Sequence, residues 1–130
     1  NSLGCVPAIT TTGAASYSNP APFTVGAVNI LNNKSGLLYY GLAPLATPFQ
    51  GGIKCVASPT IRTVLQSSGG STSGDDCTGT FAFDFNALIQ SHIDPQLVQG
   101  REVFCQYWSR DPASFASTNL TDGARFSVCL

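Results

Sequence analysis

Apolar and polar residues follow one another in short runs along this chain, and the runs are broken at short intervals by Pro, Gly, Asn and Ser. Residues 22–31, PFTVGAVNIL, mix β-branched and aromatic side chains and end at the turn-forming NNKSG. Residues 36–43, GLLYYGLA, are almost continuously apolar and are closed by Pro44 and Pro48. Residues 53–66, IKCVASPTIRTVLQ, read as one strand, a break at Pro59 and a second strand. In TGTFAFDF the period of two puts Phe81, Phe83 and Phe85 on one face. In EVFCQYW, Phe104, Gln106 and Trp108 alternate with Val103, Cys105 and Tyr107, and ARFSVCL places Phe126, Val128 and Leu130 on one side. A helical pattern is confined to DFNALIQSHI, which predicts one or two turns after Asn86. These end at Asp94-Pro95, because the residue before Pro avoids the helical basin.

Seven or eight short strands separated by turns predict an all-β fold: an antiparallel β-sandwich, jelly-roll-like, with at most one short helix. Neither a repeat nor a composition break divides the chain, so residues 1–130 are expected to form one domain. The segment QSSGGSTSGDDCTG, residues 66–79, is short for an interdomain linker and is expected to be a mobile surface loop.

Charge changes the picture more than length does. Six Lys and Arg face seven Asp and Glu, 10% of the chain, where globular domains carry about 25%. A net charge of −1 gives little attraction for nucleic acid or anionic lipid, so neither is an expected partner. No apolar run reaches the ~18 residues that span a bilayer. The absence of a basic-then-apolar opening suggests a processed, mature chain. Five Cys in a small Ser/Thr-rich chain point to an oxidising, extracellular or cell-surface setting and a disulfide-stapled domain. No CxxC and no paired Cys/His cluster suggests zinc. Cys55 and Cys77 flank the Gly/Ser loop and are the expected pair. Cys5 with Cys129 would tie the ends and leave Cys105 free, while Cys105 with Cys129 is the rival.

Three segments taken together, NSLG, YYGLAP…PFQGGIKCVASPTIR and QYWSRDPAS…NLTDGARFSV, resemble an all-β module of secreted and cell-surface proteins of planctomycetes and some other bacteria. That pattern runs Asn-Ser-Thr-Gly, Pro-Phe-Gly with Cys-Val-Gly, Trp-Tyr-Arg-Asp-Pro and Asn-Leu-Thr-Asp-Gly. The resemblance spans nearly the whole chain and is most specific in its last segment. The chain departs at Leu3, Gln50, Ala57 and Ser109, and has Cys105 where the module has an apolar residue. The resemblance implies a secreted β-domain with Cys105 as the spare thiol; it implies no catalytic residue.

Arg110-Asp111-Pro112 should end one strand, and Asn119-Leu120-Thr121-Asp122-Gly123 should start the next. Asp or Asn before Gly, with Pro nearby, are turn residues for backbone reasons. Arg110, with five donors in a planar fork, is expected to staple loop carbonyls or Asp122. The alternative is a calcium site from Asp111, Asn119 and Asp122, although calcium wants six to eight oxygens; no cofactor or metal is expected. His92 is the only histidine. GGSTSG has Thr72 where a Gly-x-Ser-x-Gly elbow needs Ser, and Asp75-Asp76 sit in a loop unsuited to holding two carboxylates at a fixed separation. An enzyme is therefore the reading ranked last.

Tyr39, Tyr40, Tyr107 and Trp108 could offer an aromatic platform to sugar rings, or fill the core. Adjacent Tyr39 and Tyr40 must face opposite sides, so only one can join a platform. Asn33-Lys34-Ser35 and Asn119-Leu120-Thr121 fit the N-glycosylation pattern, which would mark exposed loops. The leading expectation is an extracellular structural or assembly protein, a subunit of a surface filament, appendage or surface layer. It would self-associate, or join other surface proteins, by strand addition through CVPAITTTGAASYS, residues 5–18. The alternative is a non-catalytic carbohydrate-binding or adhesion module with Tyr39, Tyr40 and Trp108 as candidate contacts.

Overall fold

The computed structural model describes residues 1–50, 52–114 and 116–130. In chain order the elements are β1 (Ala8–Thr12), β2 (Thr24–Ile30), β3 (Ser35–Gly41), β4 (Pro44–Phe49), β5 (Gly52–Val56), β6 (Ile61–Arg62), β7 (Gln66–Ser67), β8 (Gly79–Asp84), α1 (Phe85–Ser91), β9 (Glu102–Arg110) and β10 (Thr118–Ser127). The fold is all-β; among the described residues there is one short helix, and the pairings between these strands are antiparallel.

One sheet is β1-β2-β8; the other is β10-β9-β3-β6, with β7 also on β3. Val25, Ala27 and Phe81 from the first meet Leu38, Tyr40, Val103, Cys105 and Tyr107 from the second in the main core. Tyr107 joins the layers twice: its ring stacks on Phe81 at 5.2 Å, and its Oη donates to the Val25 carbonyl at 2.6 Å. Gly36 on β3 makes room for Phe81, whose Cζ would collide with any added Cβ.

The hairpin β4–β5 forms a third sheet and adds a layer to the expected sandwich. Tyr39, Val56 and Leu120 form a second apolar cluster against it, with Leu37, Phe104 and Trp108 alongside. The β3 run is apolar on both sides because each of its faces is covered. All six residues of β4 are exposed, and an edge strand of that kind tolerates Pro44 and Pro48. The break after Val56 does fall at Pro59, but beyond it the chain makes only the two-residue contacts of β6 and β7.

The helix starts one residue before Asn86, because the Asp84 side chain caps it by accepting from the Asn86 N–H. It stops at His92, which adopts φ 58° and donates its N–H to Ile89, so termination precedes Asp94-Pro95.

The disulfide joins Cys5 to Cys77, 72 positions apart, and corrects both expected pairings. Cys55 lies on the hairpin over the outer face of the larger sheet, whereas Cys77 sits just before β8 of the smaller one; proximity to the same loop in sequence hid this separation. Cys55, Cys105 and Cys129 are free. Cys129 is instead held by backbone to residues 15–17, through Tyr17 N–H to its carbonyl and its own N–H to the Ala15 carbonyl.

The Gly/Ser loop is also better anchored than expected. Asn32 Nδ2 donates to the Ser71 and Gly74 carbonyls, its Oδ1 accepts from Asp76 N–H, and the Cys5 bridge holds the loop's far end.

Candidate functional site

The period of two sorts β9 into two faces, as the sequence suggested, but both faces are used. Val103, Cys105 and Tyr107 enter the main core, while Phe104, Gln106 and Trp108 face the hairpin side. Antiparallel register then aligns Leu37 with Trp108 and Trp108 with Leu120, and aligns Arg62 with Tyr39 and Tyr39 with Gln106. The hairpin covers the Gln106 half of this face. Gln106, fully buried, accepts from Tyr39 Oη and Cys55 N–H and donates to the Ile53 and Thr121 carbonyls, bolting β5 onto β9 and β10. Gly123 permits the approach, because a Cβ there would lie 2.7 Å from Cys55 Cβ. Its role is therefore close packing; the expected turn is replaced by a bulge between Leu120 and Gly123.

Beside the hairpin the face stays open as a cleft of about 180 Å³ lined by Leu37, Tyr39, Phe49, Gln50, Lys54, Thr60, Arg62 and Trp108. Trp108 is half-buried and Phe49 exposed, so both present apolar ring surface. Lys54 Nζ lies 5.3 Å from the Phe49 ring centre, and the Arg110 guanidinium 5.7 Å from that of Trp108. Gln50 Oε1 accepts from Thr118 Oγ1 at 2.8 Å and from Trp108 Nε1 at 3.4 Å, which orients the indole. Burial, and then the neighbouring Cys55, push the Tyr39 phenol well above the ordinary tyrosine range, so it is a neutral donor. Among the described residues no carboxylate lines the cleft.

Two aromatic candidates, Tyr39 and Trp108, thus come together, and Tyr40 does not. Tyr40 points into the opposite layer, packs edge-on against Phe85 and donates to Asp94 Oδ2 at 2.6 Å. Arg110 is exposed and lies 5.7 Å from the Trp108 ring centre, and among the described residues it forms no ion pair with Asp122, whose carboxylate is used elsewhere. Asp111 and Asp122 are staples, but for the N-terminal segment. Fully buried Asp111 accepts from Ser2 N–H at 2.7 Å and Ser2 Oγ at 2.6 Å, and Asp122 Oδ1 accepts from Ile9 N–H at 2.8 Å.

Both carboxylates of the calcium alternative thus accept hydrogen bonds from the N-terminal segment. Among the described residues no three His, Cys, Asp or Glu gather as a metal site. Asn119 lies in β10 with its Nδ2 buried, which corrects the expectation of an exposed glycosylation loop; Asn33 is exposed. His92 caps α1 and packs against Tyr17 at 5.3 Å. Hydrogen bonds from Ser71 and Thr78 hold the Asp76 carboxyl below its usual range, and Asp75 pairs with Lys34 at 3.7 Å.

Sequence reasoning missed Phe49, Gln50, Lys54, Arg62 and Gln106. One signal was present: in a charge-poor chain, single Lys and Arg residues inside strand patterns, and Gln amid VFCQYW, are positions that composition alone would not fill.

Compared with models of protein families, curated proteins and solved structures, the chain matches none. No helix among the described residues is long and apolar enough to cross a membrane.

Proposed function

We propose that this chain is a non-catalytic carbohydrate-binding or adhesion module acting outside the cell, with the Trp108 cleft as its binding site. The observation that carries this reading is the half-buried indole of Trp108, hydrogen-bonded to Gln50 and lining the open cleft. An aromatic ring with an apolar face and hydrogen-bonding neighbours suits a sugar ring, which has both kinds of surface. At about 180 Å³ the cleft is smaller than the ~300–1,000 Å³ of sites that enclose a whole small molecule, so it suits one ring of a longer polymer. The disulfide and the resemblance to secreted β-modules support the extracellular setting. Affinity electrophoresis in polysaccharide gels tests the reading. Retardation by at least one polysaccharide, lost in Trp108→Ala with the melting temperature preserved, is the expected result; equal mobility of both forms in every gel rejects it.

The assembly reading stands second, favoured by an apolar strip of Ile61, Val64, Leu65 and Ile93 beside a groove of about 460 Å³. In this version the self-contact is side-chain packing. Strand donation by residues 5–18 is disfavoured, because β1 already pairs with β2 and Cys5 is bonded to Cys77. Size-exclusion chromatography over a hundredfold range of concentration decides it: a monomer throughout, unchanged by Ile93→Ser, removes the assembly reading.

A further inference from the structure

The cations of this chain are unevenly placed. Of six Lys and Arg residues, Lys54 and Arg62 line the cleft and the Arg110 guanidinium lies 5.7 Å from the ring centre of its Trp108, while the whole chain carries a net charge of −1. Neither ion pair found among the described residues, Lys34–Asp75 and Arg125–Glu102, uses any of these three. Tyr39, Gln50 and Thr60 offer a neutral sugar hydroxyl and amide partners in the cleft, but the positive charges beside them meet no carboxylate among the described lining residues and repel one another. Charge of the opposite sign in the ligand removes that conflict.

We propose that the sugar ring seated on Trp108 carries an anionic group, a carboxylate or a sulfate, held by Arg62 and Lys54, so that the chain selects acidic over neutral polysaccharides. This rests on the reading of the cleft as a polysaccharide site. The guanidinium of Arg62 is planar and matches either anion with two parallel hydrogen bonds. Arg62 stands beside Tyr39 in the register of β6 and β3, and Tyr39 is fixed by its bond to Gln106. Lys54, on β5, lines the same cleft and adds a second positive charge beside the Phe49 ring. The Arg110 guanidinium, 5.7 Å from the indole ring centre, raises the local positive potential.

Calorimetric titration with three oligosaccharide series of equal length tests this: neutral glucans and xylans, polyuronates, and sulfated galactans. The expected result is binding of at least one acidic series about tenfold or more tighter than the neutral one, the gain of a hydrogen bond to a charged group. Raising salt from about 50 to about 300 mM should weaken acidic binding several-fold and leave neutral binding unchanged. Arg62→Gln should remove most of the acidic preference, whereas Arg101→Gln, outside the cleft, should not. Preference for polyuronates identifies a carboxylate, and preference for sulfated galactans a sulfate ester. Equal affinity for neutral and acidic series, or an acidic preference untouched by Arg62→Gln and Lys54→Gln, overturns the anionic assignment while the sugar site stands. No binding in any series, with Trp108→Ala indistinguishable from the unaltered chain, overturns the site itself.

Discussion

Gln106 illustrates how one buried polar side chain can organise a layer. Its amide uses both ends, tying Tyr39 and Cys55 to one atom and Ile53 and Thr121 to the other. Gln106→Leu keeps the volume but leaves those four groups without partners in a dry layer. With each unsatisfied group costing about 1–3 kcal/mol and part of the sum recovered by relaxation and rehydration, a loss of about 4 kcal/mol or more is expected in urea unfolding. Gly123→Ala acts on the same layer by size: its Cβ would collide with Cys55 Cβ, and about 1–3 kcal/mol of overpacking results. Cys55→Gly in the same chain should recover part of that loss, which a double-mutant cycle would measure. In the sequence, Asp111, Asp122 and Gly123 were legible as structural residues. Their partners were not, because Ser2 and Ile9 lie 109 and 113 positions from the carboxylates they meet.

Among the elements, the N-terminal segment is the one whose role changed. β1 is a short edge strand, and the Asp122 carboxylate covers its Ile9 N–H, so part of the hydrogen-bonding edge is closed to another chain. The Cys5–Cys77 bridge then closes a loop of 72 positions. Removing it as Cys5→Ala with Cys77→Ala should lower stability by about 4 kcal/mol if chain entropy dominates, read from urea midpoints. Hydrogen exchange at Ile9 should quicken in the same variant, while the amides of β3 and β9 keep their protection relative to it. Of the hairpin, β5 was read as a strand but β4 was not, because prolines at 44 and 48 argue against a strand, and only an exposed edge position makes them acceptable.

For the molecule as a whole, burial of ionisable but neutral groups gives stability a definite dependence on alkaline pH. Burial pushes the Cys105 thiol up to about 12 from 9.0 and the Tyr107 phenol up to about 12 from 10.0; Tyr39 and Tyr40 move in the same direction. Folded values above unfolded ones mean that the contribution is complete below about pH 9 and falls as pH rises towards 12. Each group should steepen the fall by about 1.4 kcal/mol per pH unit within its own window. Urea midpoints from pH 7 to 11.5 should therefore be flat and then decline, and Cys105→Ala should remove the earliest part of the decline. A midpoint that rises above pH 9 would contradict this account.

Local pattern determined the strand-rich class, the short helix, the opposite orientations of Tyr39 and Tyr40 and the two-sided character of β9, because these stem from a period of two and from turn chemistry between near neighbours. Only the tertiary structure decided which cysteines join, what Asp111 and Asp122 hold, and that Lys54, Arg62 and Trp108 share a cleft. Those outcomes depend on how layers stack and in what register. The free energies that select a register are summed over a whole face, and no single stretch of sequence contains that sum.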